Sequence, residues 1–541
     1  MSAPPSNPPA SATPSAASLI ATHPVLGVFG VLLGASVATC TGRLISVGLP
    51  DLRGYLHLGF DQASWLGTAF NASLMFIGPF SVYLGGLLGA RRVLLACACA
   101  FTIICLFLPF APNLPVLLIL LVLAGLTAGT FYPLTLSFIL RNLPMRYVLL
   151  GIAMYAMDIV FTTNVATSLE AWFINHLSWR WIFWNGAVIT PIMMLLIYFG
   201  IPWQPLPVPK EGQPRPSWRG FFHFSLGLAL LYAALDQGQR LYWWHSGIIV
   251  GLAVSGLFLV VMTVVRRVRM PNPLVNLKFL LSRNTLLLGL VLIVFRFVLL
   301  ATVVVIPSYL GSVKGFLPLQ IGPVLLWVGL PQCVCGLMAM YLLKYIDARL
   351  MMTFGFTLVA IACLLDARLS SAWSGANFGF SQAIMAVGQA FAFNAMVGAI
   401  ILEVVNSGAL KRPIDVLTFA GYFQTVRLIG GEAGAAFMGH FLATREQFHS
   451  NILGLGVQLG QPSTYQRLFG LSAGVRGQSP GLSAATGRAG EILGLQIRQQ
   501  AFTLAIIDSF TLVAFSVVCV LIVIACMAPV PTQYRQVVNA A

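Results

Sequence analysis

The chain has 541 residues, of which 58% are hydrophobic and only 8% are charged. A soluble domain carries about 25% charged residues, so this composition excludes an ordinary cytosolic protein. The formal net charge of +16 does not indicate nucleic-acid binding, because Lys and Arg occur in short segments between apolar runs and not on one face. The nine cysteines lie inside apolar runs without partners at metal-ligand spacing, so we predict no metal site.

Residues 1–24 are rich in Pro, Ala and Ser and have no basic segment ahead of an apolar core. They predict a disordered tail and not a signal peptide. Fourteen apolar runs follow, and helices suit them because backbone polar groups must be satisfied internally across a hydrocarbon layer of roughly 30 Å. The runs lie at 25–49, 64–86, 93–110, 115–140, 148–174, 181–201, 221–237, 247–265, 285–307, 320–343, 350–366, 379–402, 415–442 and 501–528.

Two irregular segments divide these runs into groups. A Pro-rich linker with two inserted transmembrane helices occupies 202–284, between six-helix bundles at 25–201 and 285–528. The segment 444–500 is predicted as a partly helical excursion between the last two runs, and 529–541 as a second tail. The predicted fold is therefore an all-α polytopic membrane protein with 14 transmembrane helices.

Basic residues indicate the orientation of the chain. An even number of crossings places both termini on the same side. With both termini in the cytoplasm, 17 Lys and Arg residues fall in inner segments and five in short outer loops. The positive-inside rule therefore favours cytoplasmic termini, which places 444–500 outside.

Six of the charged side chains inside the predicted spans are candidates for a functional role. A charge near a helix centre costs about 2.5–3.5 kcal/mol on insertion scales, so such groups usually face a protein interior and mark transport pathways. By helical rise, Arg43 and Glu170 share a level near the predicted outer side, whereas the other four lie near mid-membrane. The six are Arg43 in the first span, Asp158 and Glu170 in the fifth, Arg296 in the ninth, and Arg427 and Glu432 in the thirteenth.

Several short stretches occur in a characteristic order. LISVGLPDL closes the first run, QASWLGTAF opens the second, SWRWIFW opens the sixth, LDQGQRLYWW joins the inserted helices, and YFQTVRLIGGEAG lies in the thirteenth. In this order and spacing the chain resembles the 14-helix drug:proton antiporters of the major facilitator superfamily, in particular EmrB-type inner-membrane pumps. The resemblance implies two six-helix halves around a central cavity.

The chain departs from the family pattern in its signature motifs. The loop between the second and third runs keeps Gly89, Arg91 and Arg92 of the cytoplasmic motif but lacks its earlier glycine and aspartate. Leu121 stands where the fourth span has an arginine, and TTNVATSLEAW lacks the glycine and proline of the fifth. These departures indicate a divergent branch in which the usual proton-coupling motifs are incomplete.

The resemblance also implies roles in proton coupling or gating for the six intramembrane charges. Spans one and five of the first half correspond to spans nine and thirteen of the second, so arginines and acids recur on equivalent helices. We hypothesise that Glu170 neutralises Arg43 in a moving gate or a proton-linked pair, with Asp158 as a second partner. The alternatives are that the Arg43–Glu170 pair is only a static clamp or that Arg43 snorkels to the outer interface. Asp158 and Glu432 are the preferred proton carriers, whereas Asp236 is interpreted as a contact at the end of its helix.

The cavity wall is expected to come from spans one, two, four and five and their counterparts in the second half. Aromatic, methionine and amide side chains there suit a lipophilic, partly polar substrate, although each also fits ordinary helix packing. The candidates are Phe70, Asn71, Met75, Phe131, Tyr132, Met154, Tyr155, Phe391, Phe393, Asn394, Phe423 and Gln424.

The implied function is proton-driven export of lipophilic compounds across the bacterial inner membrane. The sequence contains no phosphate-binding P-loop that would indicate ATP use. We therefore expect no cofactor and a proton gradient as the energy source. The expected partners are the substrate, protons, membrane lipids and a periplasmic adaptor at 444–500, where a flexible loop is an equal alternative. The other functions considered are a dedicated exporter of one metabolite, such as a siderophore or fatty acid, a membrane-embedded transferase and a structural partner. No paired-acid, histidine or metal constellation predicts an enzyme.

Overall fold

The computed structural model describes residues 24–143, 145–201, 218–268, 282–406, 413–458, 460–478 and 481–528. The predicted tails and the Pro-rich part of the linker, at 1–23, 529–541 and 202–217, lie outside the described residues. Within the described ranges the regular structure is helical and contains no strand, which confirms the predicted all-α fold class.

A helix occupies each of the fourteen predicted spans. Two of them are interrupted: α4 has two pieces, and α9 continues through a π-helical turn. The helices are α1 (Pro24–Val47), α2 (Phe60–Leu88), α3 (Ala90–Phe107), α4 (Leu114–Ala128 and Phe131–Asn142), α5 (Met145–His176), α6 (Trp181–Gly200), α7 (Trp218–Gly238), α8 (Gly247–Val268), α9 (Arg283–Leu300, Ala301–Val305 and Ile306–Ser312), α10 (Pro318–Leu343), α11 (Ala348–Asp366), α12 (Gly379–Asn406), α13 (Pro413–Leu455) and α14 (Leu482–Ala525).

Hydropathy separates these helices into two groups. Among the described residues, eleven helical stretches are long and apolar enough to cross a membrane, and they correspond to all of the helices except α2, α7 and α13. These three helices pack against one another.

Two helix pairs join the halves of the molecule. Helix α5 packs along α10, and α2 packs along α13. Glycines on α10 allow the first pair to approach closely: a Cβ added to Gly322 would lie 2.9 Å from the Cα of Ser168, and one added to Gly329 would lie 3.3 Å from the Cβ of Asn164. Small residues are typical of helix interfaces in membranes, because they let backbones come into van der Waals contact.

Gly89 makes the turn between α2 and α3. Its φ of 83° lies in the left-handed region, which a residue with a Cβ adopts only at a cost. This explains why the retained part of the cytoplasmic motif includes a glycine here. Arg91, in the first turn of α3, donates a hydrogen bond of 2.8 Å to the carbonyl oxygen of Tyr198 and lies 5.2 Å from the centre of its ring, which ties α3 to the end of α6.

The segment 444–500 is more helical than predicted. Helix α13 runs without a break to Leu455, a separate helix spans Pro462–Val475, and α14 begins at Leu482. Asp508 accepts one hydrogen bond from Nε of Arg445 at 2.6 Å and pairs with His449 at 2.7 Å, so α13 and α14 are joined at the base of this projection. We call the part of α13, α14 and the separate helix between 444 and 500 the outer hairpin.

Candidate functional site: a central cavity lined by arginines

A cavity of about 290 Å³ lies where α1, α2, α4 and α5 face α7, α9 and α13. Ligand sites of drug-sized molecules typically occupy roughly 300–1,000 Å³, so this cavity is at the lower end of that range. One part of its wall is apolar and comes largely from α9, including Leu299, Leu300, Val303 and Val304. The wall also contains charged side chains, which makes the cavity amphipathic.

Four buried side chains form a cluster that we call the cavity floor, in which Tyr132 and Arg427 line the cavity and Tyr155 and Phe423 pack against them. The ring centres of Tyr132 and Tyr155 are 6.0 Å apart, and those of Tyr155 and Phe423 are 6.4 Å apart. The Arg427 guanidinium lies 4.1 Å from the centre of the Tyr132 ring. None of the four is more than 3% exposed. At about 1.5 Å of rise per residue, Phe423 lies about 13 Å nearer the predicted inner end of α13 than Glu432, so the floor lies toward that side of the cavity.

Three arginines face this cavity, namely Arg43 from α1, Arg296 from α9 and Arg427 from α13. Arg427 also donates from Nε to Oε1 of Gln424 at 3.1 Å. The Nε atoms of Arg43 and Arg296 are buried and have no hydrogen-bond partner among the described residues. None of the three belongs to an ion pair within 4.0 Å in the described part of the chain. Three permanent cations thus share one cavity without carboxylate partners.

A line of polar side chains leads from the predicted outer surface to this cavity. Asp61 pairs with Arg240 at 2.5 Å, and Arg240 donates to Gln237 at 2.7 Å. Gln237 donates to the carboxylate of Asp236 at 3.3 Å. The Asp236 carboxyl group in turn faces Glu432 on α13, so the first inserted helix contributes an acid to the central site.

Asp236 and Glu432 are held mainly by neutral groups. Thr68 donates a hydrogen bond to Asp236, and Tyr232 lies beside Glu432. Both carboxyl groups line the cavity. The interpretation of Asp236 as only a helix-end contact misses this position beside Glu432. The LDQG stretch already indicated this position, because a carboxylate near the end of a transmembrane helix can also lie near the mouth of a central cavity.

The hypothesis that Glu170 neutralises Arg43 is wrong for this conformation. Glu170 is buried, and its carboxyl oxygens have no hydrogen-bond partner in the described residues. It lies beside the loop after α1: a Cβ added to Gly48 would be 3.2 Å from its Oε1, and Asp51 is its electrostatic neighbour. Helical rise predicts the same depth for Arg43 and Glu170. The two helices are rotated so that these side chains face different neighbours.

Asp158 is not the partner of Arg43 either. It accepts hydrogen bonds from Ser36 on α1 and, at 3.4 Å, from Thr162 one turn further along α5. Its second carboxyl oxygen is buried without a partner among the described residues. Asp158 therefore links α1 to α5 beside the cavity, and it is absent from the cavity wall.

Only two of the twelve predicted wall residues, Asn71 and Tyr132, line the cavity in this conformation. Most of the others fill space between helices, because large aromatic side chains pack well there and their positions along a span do not reveal which way they point. Phe295, for example, stacks on Phe393 at 4.6 Å. The ten that do not line it are Phe70, Met75, Phe131, Met154, Tyr155, Phe391, Phe393, Asn394, Phe423 and Gln424.

Sequence comparison identifies the family. The sequence pattern of the Major Facilitator Superfamily matches residues 31–435. The chain is 27% identical over 346 residues to the probable multidrug resistance protein EmrY of Escherichia coli (strain K12), a match that covers 61% of this chain and 65% of EmrY, less than two thirds of that relative. It is 24% identical over 433 residues to the fatty acid resistance protein FarB of Neisseria gonorrhoeae, covering 78% of this chain and 80% of FarB.

A solved structure supports the fold alone. A bacterial homologue of the human lysosomal transporter Spinster superimposes with a TM-score of 0.50 at 13% identity, over 95% of this chain and 97% of that one. The family pattern covers well over half of the chain, and the helical architecture agrees with it. The chain is therefore a multi-pass membrane transporter and not an enzyme, and it belongs to the major facilitator superfamily.

Proposed function

We propose that this transporter exports lipophilic small molecules and that a proton gradient drives the export. The observation that carries the proposal is the central cavity, which combines an apolar wall from α9 with charged groups from both halves. An apolar wall favours lipophilic cargo, since burying apolar surface contributes about 25 cal/mol per Å². The names of EmrY and FarB, which refer to multidrug and fatty acid resistance, agree with cargo of this type.

Glu432 and Asp236 are proposed as the proton-carrying pair. Two carboxylates at close range repel each other, and a proton bound to one of them removes that repulsion. The polar line from Asp61 through Arg240 and Gln237 supports a route for protons from the predicted outer side. Asp158, between α1 and α5, stays a second candidate carrier, because its hydrogen bond to Ser36 joins two helices of the first half.

Movement of the cavity floor is proposed as the gating step. The floor joins α4 and α5 to α13, so cargo from the cytoplasm reaches the cavity only when these helices separate. The cation–π contact between Arg427 and Tyr132 is made between halves, and an alternating-access transporter must break such contacts in each cycle. Export, cytoplasmic termini and the bacterial inner membrane follow from the family resemblance and from the distribution of basic residues.

The outer hairpin is proposed to dock a periplasmic adaptor. Five large apolar side chains on it are 61–72% exposed, namely Leu455, Tyr465, Phe469, Leu482 and Leu495. If the hairpin docks an adaptor, the wild-type protein co-purifies with the adaptor of its own organism, and the Tyr465→Ser and Phe469→Ser double variant does not. Equal recovery with both proteins, or none with the wild type, would refute docking.

Proteoliposomes that contain the full chain test the proposed function. The probes are 1-anilinonaphthalene-8-sulfonate, N-phenyl-1-naphthylamine and ethidium, which are anionic, neutral and cationic. An imposed pH gradient should drive at least one probe across the membrane, and a protonophore should abolish its movement. Glu432→Gln should lose gradient-driven movement, whereas Glu403→Gln, on α12 outside the cavity, should keep it. If no probe responds to the gradient, or if Glu432→Gln equals the wild type, the proposal fails.

A further inference from the structure

We infer that the cavity selects anionic amphiphiles, with the head group bound among Arg43, Arg296 and Arg427 and the apolar part against α9. The inference rests on the proposed function, because it takes this cavity as the cargo site. It narrows the cargo from lipophilic compounds in general to molecules with one carboxylate or sulfonate head and a hydrocarbon body. By the same argument, we expect the cavity not to bind cationic amphiphiles.

The unmatched arginines are the first observation. Four other arginines of the described chain have carboxylate partners, among them Arg349 with Asp347 at 3.3 Å and Arg445 with Asp508 at 2.6 Å. The three cavity arginines have none, although a guanidinium inside a membrane is costly without one. Arg427 is only 3% exposed. An anionic ligand would supply the missing counter-charge.

The acids near the cavity form no ion pair with these arginines in the described part of the chain, although Arg296 is an electrostatic neighbour of Glu432 and Arg427 is one of Asp158. Asp236 and Glu432 face each other and are contacted by Thr68, Gln237 and Tyr232. Asp158 is bonded to Ser36 and Thr162, and Glu170 lies near Asp51. The wall itself contains three arginines and two acids, so it keeps a positive excess even when both acids are charged.

Gly431 is the second observation, because it makes room for one of these arginines. A Cβ added at Gly431 would lie 2.9 Å from Nη2 and 3.0 Å from Nε of Arg296. Its distance to Cζ would be longer, at 3.4 Å, so the Nε–Nη2 edge of the guanidinium faces α13 in a position that a larger residue would block. Arg296 also lines the cavity, and the planar fork of a guanidinium matches the paired oxygens of a carboxylate or sulfonate.

The arrangement of the wall completes the argument. Leu299, Leu300, Val303 and Val304 follow Arg296 along α9 and form an apolar surface next to the charged one. The π-helical turn Ala301–Val305 lies in this stretch, and such turns are frequent at functional sites. Export of an anion is also favoured by an inside-negative membrane potential, so the inferred cargo is compatible with the proposed direction.

Two ligands with the same chain and opposite permanent charges test the inference. The full protein in nanodiscs of zwitterionic lipid is titrated with radiolabelled dodecylsulfonate, and dodecyltrimethylammonium is added as competitor, each below its micelle concentration. We expect saturable dodecylsulfonate binding that the cation does not displace. Arg296→Gln should weaken binding at least tenfold, Arg296→Lys should retain more of it, and Arg368→Gln, an exposed outer arginine, should change it less than twofold.

The outcomes separate this inference from the proposed function. The inference would be overturned if the cation bound as tightly as the anion. It would also be overturned if Arg296→Gln bound dodecylsulfonate within twofold of the wild-type affinity. The competition experiment on the wild-type protein decides the matter even if a variant misfolds. Gradient-driven transport of ethidium without that of anilinonaphthalene sulfonate would also overturn it and leave the proposed function standing. If the anion binds in an arginine-dependent way but the gradient transports no probe, the inferred head-group site is supported. The proposal of proton-driven export is then refuted.

Discussion

Replacing Tyr132 by Leu should weaken closure of the cavity on its predicted inner side. The Arg427 guanidinium lies 4.1 Å from the Tyr132 ring centre in a buried setting, where a cation–π contact contributes about 2 kcal/mol. The Tyr132–Tyr155 contact lies within one half and persists when the halves separate, so it cancels between the two states. At 1.36 kcal/mol per tenfold, a loss of about 2 kcal/mol shifts the ratio of closed to open floor by about 30-fold.

Thiol labelling measures this shift. Ser46, which lines the cavity, is replaced by Cys in a chain whose nine native cysteines have been removed, and a membrane-impermeant maleimide is applied from each side in turn. Tyr132→Leu should raise the labelling rate from the inner side by roughly 30-fold if opening limits the reaction. Tyr132→Phe keeps the ring and should label like the parent. Equal inner-side rates in the Leu and Phe variants would refute the role given to the ring.

Two further changes test the packing and the outer hairpin. Gly355→Val on α11 should lower the free energy of unfolding by about 1–3 kcal/mol, because a Cβ there would lie 2.8 Å from a backbone oxygen of α12. Thermal unfolding in detergent should show a lower melting temperature. Gly439→Val is the control and should leave the melting temperature unchanged, because a Cβ there would have nothing within 4 Å. Asp508→Asn removes the charge shared by Arg445 and His449 and should destabilise the base of the hairpin by about 1 kcal/mol. Hydrogen exchange around 445–449 should then be about fivefold faster. An unchanged rate would contradict the role of Asp508 in joining α13 to α14.

The helices of this protein were predictable from its sequence for a simple physical reason. Lipid requires long apolar runs with satisfied backbones, so each run marks a helix, and every predicted run contains one. The interruptions were not predictable. The break after Ala128 and the π-helical turn at Ala301–Val305 depend on packing between helices, which leaves no simple pattern in a single chain.

The candidate site was predictable only in part. Charges inside spans are costly, and this alone identified Arg43, Arg296, Arg427 and Glu432, all of which line the cavity. Which acid faces which arginine depends on helix rotation, and position along a span does not reveal it. That is why the Arg43–Glu170 pairing failed. The predicted aromatic wall failed for the same reason, since bulky rings are as frequent between helices as around a cavity.

The most direct test of this account is a structure of the full chain in nanodiscs with 12-bromododecanesulfonate bound. The bromine marks the tail and the sulfonate marks the head. The account predicts the sulfonate in contact with Arg296 and at least one of Arg43 and Arg427, with the bromine beside α9. A ligand bound outside this cavity, or one bound with its head group away from all three arginines, would contradict it.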